Sequence, residues 1–178
     1  PASLNDALAG EKLDAWILDH TFGSPSPVDG AWLREQGVLV IEDFSGLVGS
    51  DRDGRVFGSF GDIAVTGLSE FDHLTTGNGA MIACHDAKVY PAVQALRYGT
   101  KRKPESVAYD YRLGDFQAAM GLDQLSRLAV TTARRKKIGQ KYMESLRSTK
   151  HETYFKEPGI DSYLRFPVVV ARPHEEVV

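Results

Sequence analysis

A single cysteine in 178 residues, Cys84, excludes an intramolecular disulfide framework and leaves no thiolate cluster for zinc. A reducing cytoplasm is the setting this implies. No apolar run approaches the ~20 residues of a membrane-spanning helix, and the first residues lack the basic and apolar blocks of a signal peptide. A membrane is therefore not an expected partner. Positive charge is not in excess: 21 Lys and Arg against 24 Asp and Glu leave a net charge of −3, which gives no electrostatic case for nucleic acid. The spacing of His20, His85, His151 and His174 implies no metal site, and there is no internal repeat or low-complexity segment. Lysine is missing altogether between Lys12 and Lys88.

What is present is an apolar content of 42%, enough for a proper core, and an organising stretch from Val38 to Ala83. Val38-Leu-Val-Ile-Glu-Asp43 is a short apolar run ending in two carboxylates. That pattern fits a buried parallel strand whose carboxyl end opens into a ligand crevice, with Asp43 at the crevice. Gly58-Ser-Phe-Gly-Asp62 and His73-Leu-Thr-Thr-Gly-Asn-Gly79 follow it.

The order of these three motifs resembles that of the DegT/DnrJ/EryC1/StrS family of sugar aminotransferases, pyridoxal-phosphate (PLP) proteins of the aspartate aminotransferase fold. Tyr109-Asp-Tyr-Arg-Leu-Gly-Asp-Phe-Gln-Ala-Ala119 extends the likeness, so that it covers roughly two thirds of the chain. The resemblance implies an α/β fold: the later portion of a PLP type I large domain over residues 1–130, with a mixed, mostly parallel sheet, then a connecting helix and the first strand of a small C-terminal α+β domain over 131–178. Family members are longer, so the chain is expected to be a truncated form or a fragment. They are dimers, which implies a homodimer or a heterodimer with an active paralogue, and a nucleotide-linked sugar as ligand.

Local signals fill in the order of elements. Ser3 to Gly10 reads as a helix with a glycine C-cap. Ala15 to Phe22 reads as a strand broken at Gly23-Ser-Pro-Ser-Pro27, with Ser26 capping a helix that carries Val28, Trp32 and Leu33 and ends at Gly37. With the next strand this makes a right-handed βαβ unit. Asp51 to Gly54 is a turn, Ile63–Thr66 and Ala80–Cys84 are strands, and Asp86 to Tyr98 is a helix that Pro91 either kinks or joins near its first turn. Lys101 to Pro104 is a basic turn. Leu113, Phe116, Met120, Leu125 and Leu128 mark an apolar stripe on a long helix. The basic run from Arg134 to Lys150 is its solvated continuation, and Tyr163 to Ala171 reads as a strand.

By the resemblance, Asp43 pairs with the pyridine nitrogen of PLP, keeping it protonated so that the ring acts as an electron sink. The lysine that forms the internal aldimine belongs at position 72, and this chain has Asp72 there. Schiff-base formation needs an amine nucleophile, so Asp72 closes the ordinary transamination cycle. Other family positions differ too. Gly67 stands in place of a phosphate-binding serine, Gly46 in place of a glutamine, and Asp110 in place of an asparagine that reaches the partner subunit's phosphate. Asp110 would repel that group by on the order of 1 kcal/mol. Asp62 is expected to bond turn amides and Arg112 to form a salt bridge or subunit contact.

Two functional expectations follow. The leading one is a family homologue that does not transaminate and acts as a binding or partner subunit. The alternative is a PLP- or pyridoxamine-dependent enzyme on a nucleotide-linked keto sugar, such as the family's 3-dehydratases, in which histidine replaces the lysine; here His73, one residue along, would be the base. Ser59 with His73 and Asp43 suggests a hydrolase only superficially, since no nucleophile-elbow pattern accompanies them.

Overall fold

The computed structural model describes residues 13–97, 110–155 and 162–171. The helix expected over Ser3–Gly10 and the basic turn at Lys101–Pro104 lie outside them. The first described unit is strand, helix, strand: β1 (Ala15–Asp19), α1 (Gly30–Glu35) and β2 (Leu39–Asp43). The two strands pair in parallel, from Ala15 opposite Leu39 to Asp19 opposite Asp43, as a connection through a helix requires. Their carboxyl ends are thus level. Leu18, Leu33, Val38 and Val40 form the buried core between sheet and helix, with Trp16, Val28, Trp32 and Phe60 packed around it. Full burial of each such side chain contributes about 1.5–3 kcal/mol.

The helix begins later than its expected cap. Asp29, not Ser26, is the N-cap, its Oδ1 accepting from the Ala31 N–H at 2.8 Å. Ser26 instead closes a turn, its Oγ accepting from the Val28 N–H at 3.3 Å. A carboxylate suits the helix N-terminus better than a hydroxyl because it also meets the positive end of the dipole. Gly37, at φ 79°, ends the helix as its composition predicts.

A two-residue hairpin, β3 (Asp51–Arg52) with β4 (Arg55–Val56), precedes β5 (Ile63–Gly67) and β6 (Ala80–Cys84). The main sheet runs β1-β2-β5-β6; β5 is parallel to β2 and β6 is antiparallel to β5. The sheet is therefore mixed and mostly parallel. Asp62 helps to weld it: its Oδ2 accepts from the Val40 N–H at 2.9 Å, so it bonds a strand amide rather than a turn amide.

Helix α2 (Tyr90–Arg97) starts four residues after Asp86. The Asp86 side chain spends itself on a turn, accepting from the Lys88 N–H at 2.8 Å, and Pro91 falls in the first turn, where no N–H is needed. Helix α3 (Asp115–Leu146) runs 32 residues, about 48 Å at 1.5 Å per residue. It passes without a break through the 130/131 division.

The strand expected over Tyr163–Ala171 is reduced to β8 (Val168–Val169), which pairs antiparallel with a strand that periodicity did not signal, β7 (Glu152–Thr153). Tyr163 takes a left-handed φ of 52°, and its ring, with that of Phe166, packs on Phe155 at 4.8 and 5.3 Å instead of alternating across a sheet. This aromatic knot carries Ser162 back to the main sheet. The Ser162 N–H donates to the Gly23 carbonyl at 2.9 Å, and its hydroxyl bonds the Gly46 carbonyl.

Candidate functional site

The carboxyl ends of β2 and β5 hold the side chains that the sequence singles out. Asp43 closes β2, and its Oδ1 accepts from both the N–H (3.0 Å) and the hydroxyl (2.6 Å) of Ser45. The Ser45 Oγ in turn accepts from the Gly67 N–H at 2.7 Å, at the end of β5. Beyond Gly67, Asp72 folds back on its own loop: its Oδ2 accepts from the N–H and the hydroxyl of Ser69 at 2.7 and 2.8 Å. The same oxygen would lie 2.6 Å from a Cβ at position 67. The two strand ends are thus laced together by hydroxyls and carboxylates, with Asp43 and Asp72 on either side of the Ser45–Gly67 bond.

Gly46 has no room for the side chain that the family resemblance puts there, whereas at Gly67 a side chain would have to displace only the Asp72 carboxylate. A Cβ at position 46 would meet the backbone of Gly23 at 2.9 Å and the His20 carbonyl at 3.1 Å. Gly46 is the point where the loop after β2 touches the loop after β1, and close backbone approach is what its lack of a side chain permits.

Next to Asp43, Glu42 is the better-connected carboxylate, a residue that the family motif does not single out. It is fully buried. One oxygen accepts from Gly58 N at 2.7 Å and faces His20 Nε2 at 3.3 Å; the other accepts from Phe60 N at 2.6 Å and Gly61 N at 3.0 Å. The Ser26 N–H donates to His20 Nδ1 at 3.0 Å, so Nδ1 is unprotonated and Nε2 carries the hydrogen given to Glu42. Burial pushes the Glu42 pKa up, but the His20 bond and the three backbone donors outweigh it and hold the group below the ordinary range. A signal for it was available: Val38, Val40 and Glu42 share the inward face of a period-two strand.

His73 is buried as well, 5% exposed, and among the described residues neither of its ring nitrogens has a hydrogen-bond partner. Burial, reinforced by the charge of Arg135, lowers its pKa to about 4 against the opposing pull of the Gly46 backbone and the Asp72 carboxylate. The ring lines a cavity under α3. Asp110, apart from this cluster, forms a two-pronged pair with Arg112 at 2.7 and 2.8 Å. Arg112 does make the expected salt bridge, and its partner is Asp110. No group of three metal-ligating side chains occurs among the described residues, and none of their helices is long and apolar enough to cross a membrane.

A βαβ-built mixed sheet whose strand ends carry these loops is the architecture of the type I PLP transferases. The solved aminotransferase TlmJ from Streptoalloteichus hindustanus superposes with a TM-score of 0.79 at 25% identity, over 89% of this chain and 46% of that one. The family model described as the DegT/DnrJ/EryC1/StrS aminotransferase family matches residues 2–177, and the chain belongs to that family. Among its curated relatives, a GDP-perosamine synthase of Caulobacter vibrioides is 31% identical over 149 residues, 79% of this chain and 40% of that protein. A dTDP-4-dehydro-2,6-dideoxy-D-glucose 3-dehydratase of Saccharopolyspora spinosa is 24% identical over 172 residues, 79% of this chain and 37% of that protein. The chain spans about two fifths of the length of these relatives.

Asp72 offers no amine, its Oδ2 lies 2.6 Å from where a Cβ on Gly67 would stand, and a Cβ on Gly46 would meet the Gly23 backbone. Among the described residues the second oxygen of Asp43 makes no hydrogen bond.

Proposed function

We propose that this chain is a sugar-aminotransferase homologue that does not transaminate and serves as a binding or partner subunit, in a homodimer or beside an active paralogue. Its ligand class would be the nucleotide-linked sugars on which its relatives act, and its setting the cytoplasm. The observation that carries the reading is Asp72: a carboxylate at the aldimine position, tied to Ser69 and closed over Gly67. A carboxylate cannot attack the C4′ aldehyde, and the described residues between 13 and 87 contain no lysine to replace it.

A partner role is supported by the outward side of α3. Ala118, Leu122, Leu125, Ala129 and Ala133 recur there at spacings of four, three, four and four residues. Leu122 and Leu125 are 69% and 52% exposed. An exposed apolar stripe along a long helix fits contact with a second body. The dehydratase alternative gains nothing comparable. A ring held near pKa 4 is a weak base at neutral pH, and Asp43 is engaged with Ser45.

The test is incubation of the purified chain with PLP, borohydride reduction and peptide mapping. The expected result is no site-specific adduct. A single adduct on one lysine would return the chain to the aminotransferases. Dimerisation is measured separately, by sedimentation.

A further inference from the structure

Outside the Asp43–Asp72 cluster, one buried polar side chain faces a cavity and is short of partners. His73 is 95% buried, and among the described residues neither ring nitrogen has a partner at good hydrogen-bond geometry, the Gly46 backbone being the acceptor that the ring feels. A buried polar group left short of partners is costly, so a folded chain that keeps such a ring gains from anything that meets it. The ring forms part of the wall of a cavity of about 340 Å³. One face of α3 supplies the rest: Met120, Asp123, Gln124, Arg127, Leu128 and Thr131. At about 30 Å³ of liquid volume per water, the space suits a ligand group of several heavy atoms.

The chemistry of that group follows from what the wall has left to offer. Gln124 is spent on the loop, accepting from the Thr75 N–H at 3.1 Å and donating to the Thr75 carbonyl. Thr131 donates to the Arg127 carbonyl at 3.1 Å. Asp123 is held by Arg127 on the helix itself. What remains is the His73 ring and the other N–H groups of the Arg127 guanidinium, which has five in all. Of the charged groups around the ring, Arg127 and Asp123 neutralise each other, and the effect of Arg135 exceeds the opposing effect of Asp72. The ring therefore sits in a net positive field with unused donors. We propose that this cavity binds a small oxyanion, a phosphate or carboxylate group, between a protonated His73 and Arg127.

Binding of this kind takes up a proton, because the anion favours the imidazolium. Its affinity must therefore rise as pH falls, by up to about tenfold per unit while His73 is mostly neutral in the free protein. The site is separate from the strand-end cluster, and a failed PLP adduct neither supports nor weakens it.

The experiment follows the His73 ring signals of the full chain by NMR between pH 5.0 and 6.5, at constant ionic strength set with sodium chloride. The probes are sulfate, a phosphate mimic of fixed charge, and formate. The expected result is a saturable shift of the ring signals whose affinity rises by up to about tenfold per pH unit as the pH falls through this window. A response to sulfate alone assigns a phosphate-type group, and one to formate, alone or with sulfate, assigns a carboxylate. Arg127→Gln, a change at an exposed side chain, should weaken the affinity about tenfold; it frees Asp123, which favours the protonated ring, so the loss would not come from a harder protonation. His73 signals that respond to both probes no more than to chloride, or as strongly in Arg127→Gln, overturn the proposal.

Discussion

Glu42 and His73 are both buried polar residues beside strand-end loops, one on the β1–β2 side and the other under α3, and they are treated in opposite ways. Glu42 is met by His20 Nε2 and three backbone N–H groups; among the described residues His73 has no partner at good geometry. The apolar surface follows this division only in part: Leu18, Leu33 and Val40 are almost wholly buried and Met81, Ile82 and Leu122 are more than half exposed, but Ile17 of β1 is exposed too. The polar groups of one side are met within this chain, and the other side presents the His73 cavity and the outer stripe of α3. Stability should therefore depend on the first side and association or ligand binding on the second.

The largest effect expected is at Glu42. Glu42→Ala strands His20 and three amides at once, and removal of one member of such a buried network costs about 3–5 kcal/mol. Denaturant unfolding should show this as a lower midpoint. A cost below about 1 kcal/mol would mean that water readily satisfies the loop and that the contrast with His73 is overdrawn.

Acidification comes next, and it acts on the other side of the molecule. The unfolded His73 binds a proton near its ordinary pKa of 6.5, while the folded ring refuses one until about 4. The unfolded state holds more protons in that window, so stability falls as pH drops from 6.5 towards 4, by about 3 kcal/mol in total at about 1.4 kcal/mol per unit. Glu42 has the same sign in a lower window: its depressed value makes its contribution fade only below its ordinary pKa of 4.5. A stability profile measured in His73→Asn should lose the upper limb and keep the lower one.

A smaller loss, about 2 kcal/mol, is expected from Gly23→Ala. The glycine has φ 83°, and an added Cβ would lie 2.2 Å from Ser162 Oγ and 2.8 Å from the Gly46 carbonyl, so backbone strain and a clash act together. Because Ser162 carries the aromatic knot to the strand ends, tryptic cleavage after Arg165 should accelerate in this variant. Unchanged cleavage would show that the knot holds without the clamp.

How far the sequence disclosed this arrangement depended on the kind of signal. The βαβ unit and α3 were legible, since apolar runs, glycine ends and helical spacing record backbone demands directly, whereas the mixed sheet was implied by the family resemblance, and of the α3 stripe Phe116 and Leu125 are exposed. Asp43, Gly67 and Asp72 were singled out through the family resemblance; their meeting at one strand-end cluster is a finding of the structure. The reach of Ser45 to Gly67, 22 residues away, and the return of Ser162 to Gly46, 116 residues away, were not legible, because hydroxyls leave no periodic trace. Asp29 displaced Ser26 as a cap by a contest between two good cap residues that local pattern does not decide. The strand from Tyr163 failed because aromatic rings that pack on Phe155 look, in sequence, like a strand's apolar face.

The smallest stability effect is the most informative about the α3 side. Leu122→Gln with Leu125→Gln changes two exposed side chains to a residue of similar helix propensity, and surface changes of this kind usually alter stability by less than about 0.5 kcal/mol each. The chain as a monomer should unfold as before. If the outward stripe of α3 is covered by a second subunit, the same pair places two amides in an apolar interface, and the sedimentation coefficient should fall to that of a monomer at concentrations where the parent chain associates. A parent chain that is monomeric at every concentration would leave the stripe to a different chain, the active paralogue. A double variant that instead loses several kcal/mol as a monomer would show that the stripe is already packed within this chain, and the division between the two sides of the molecule would disappear.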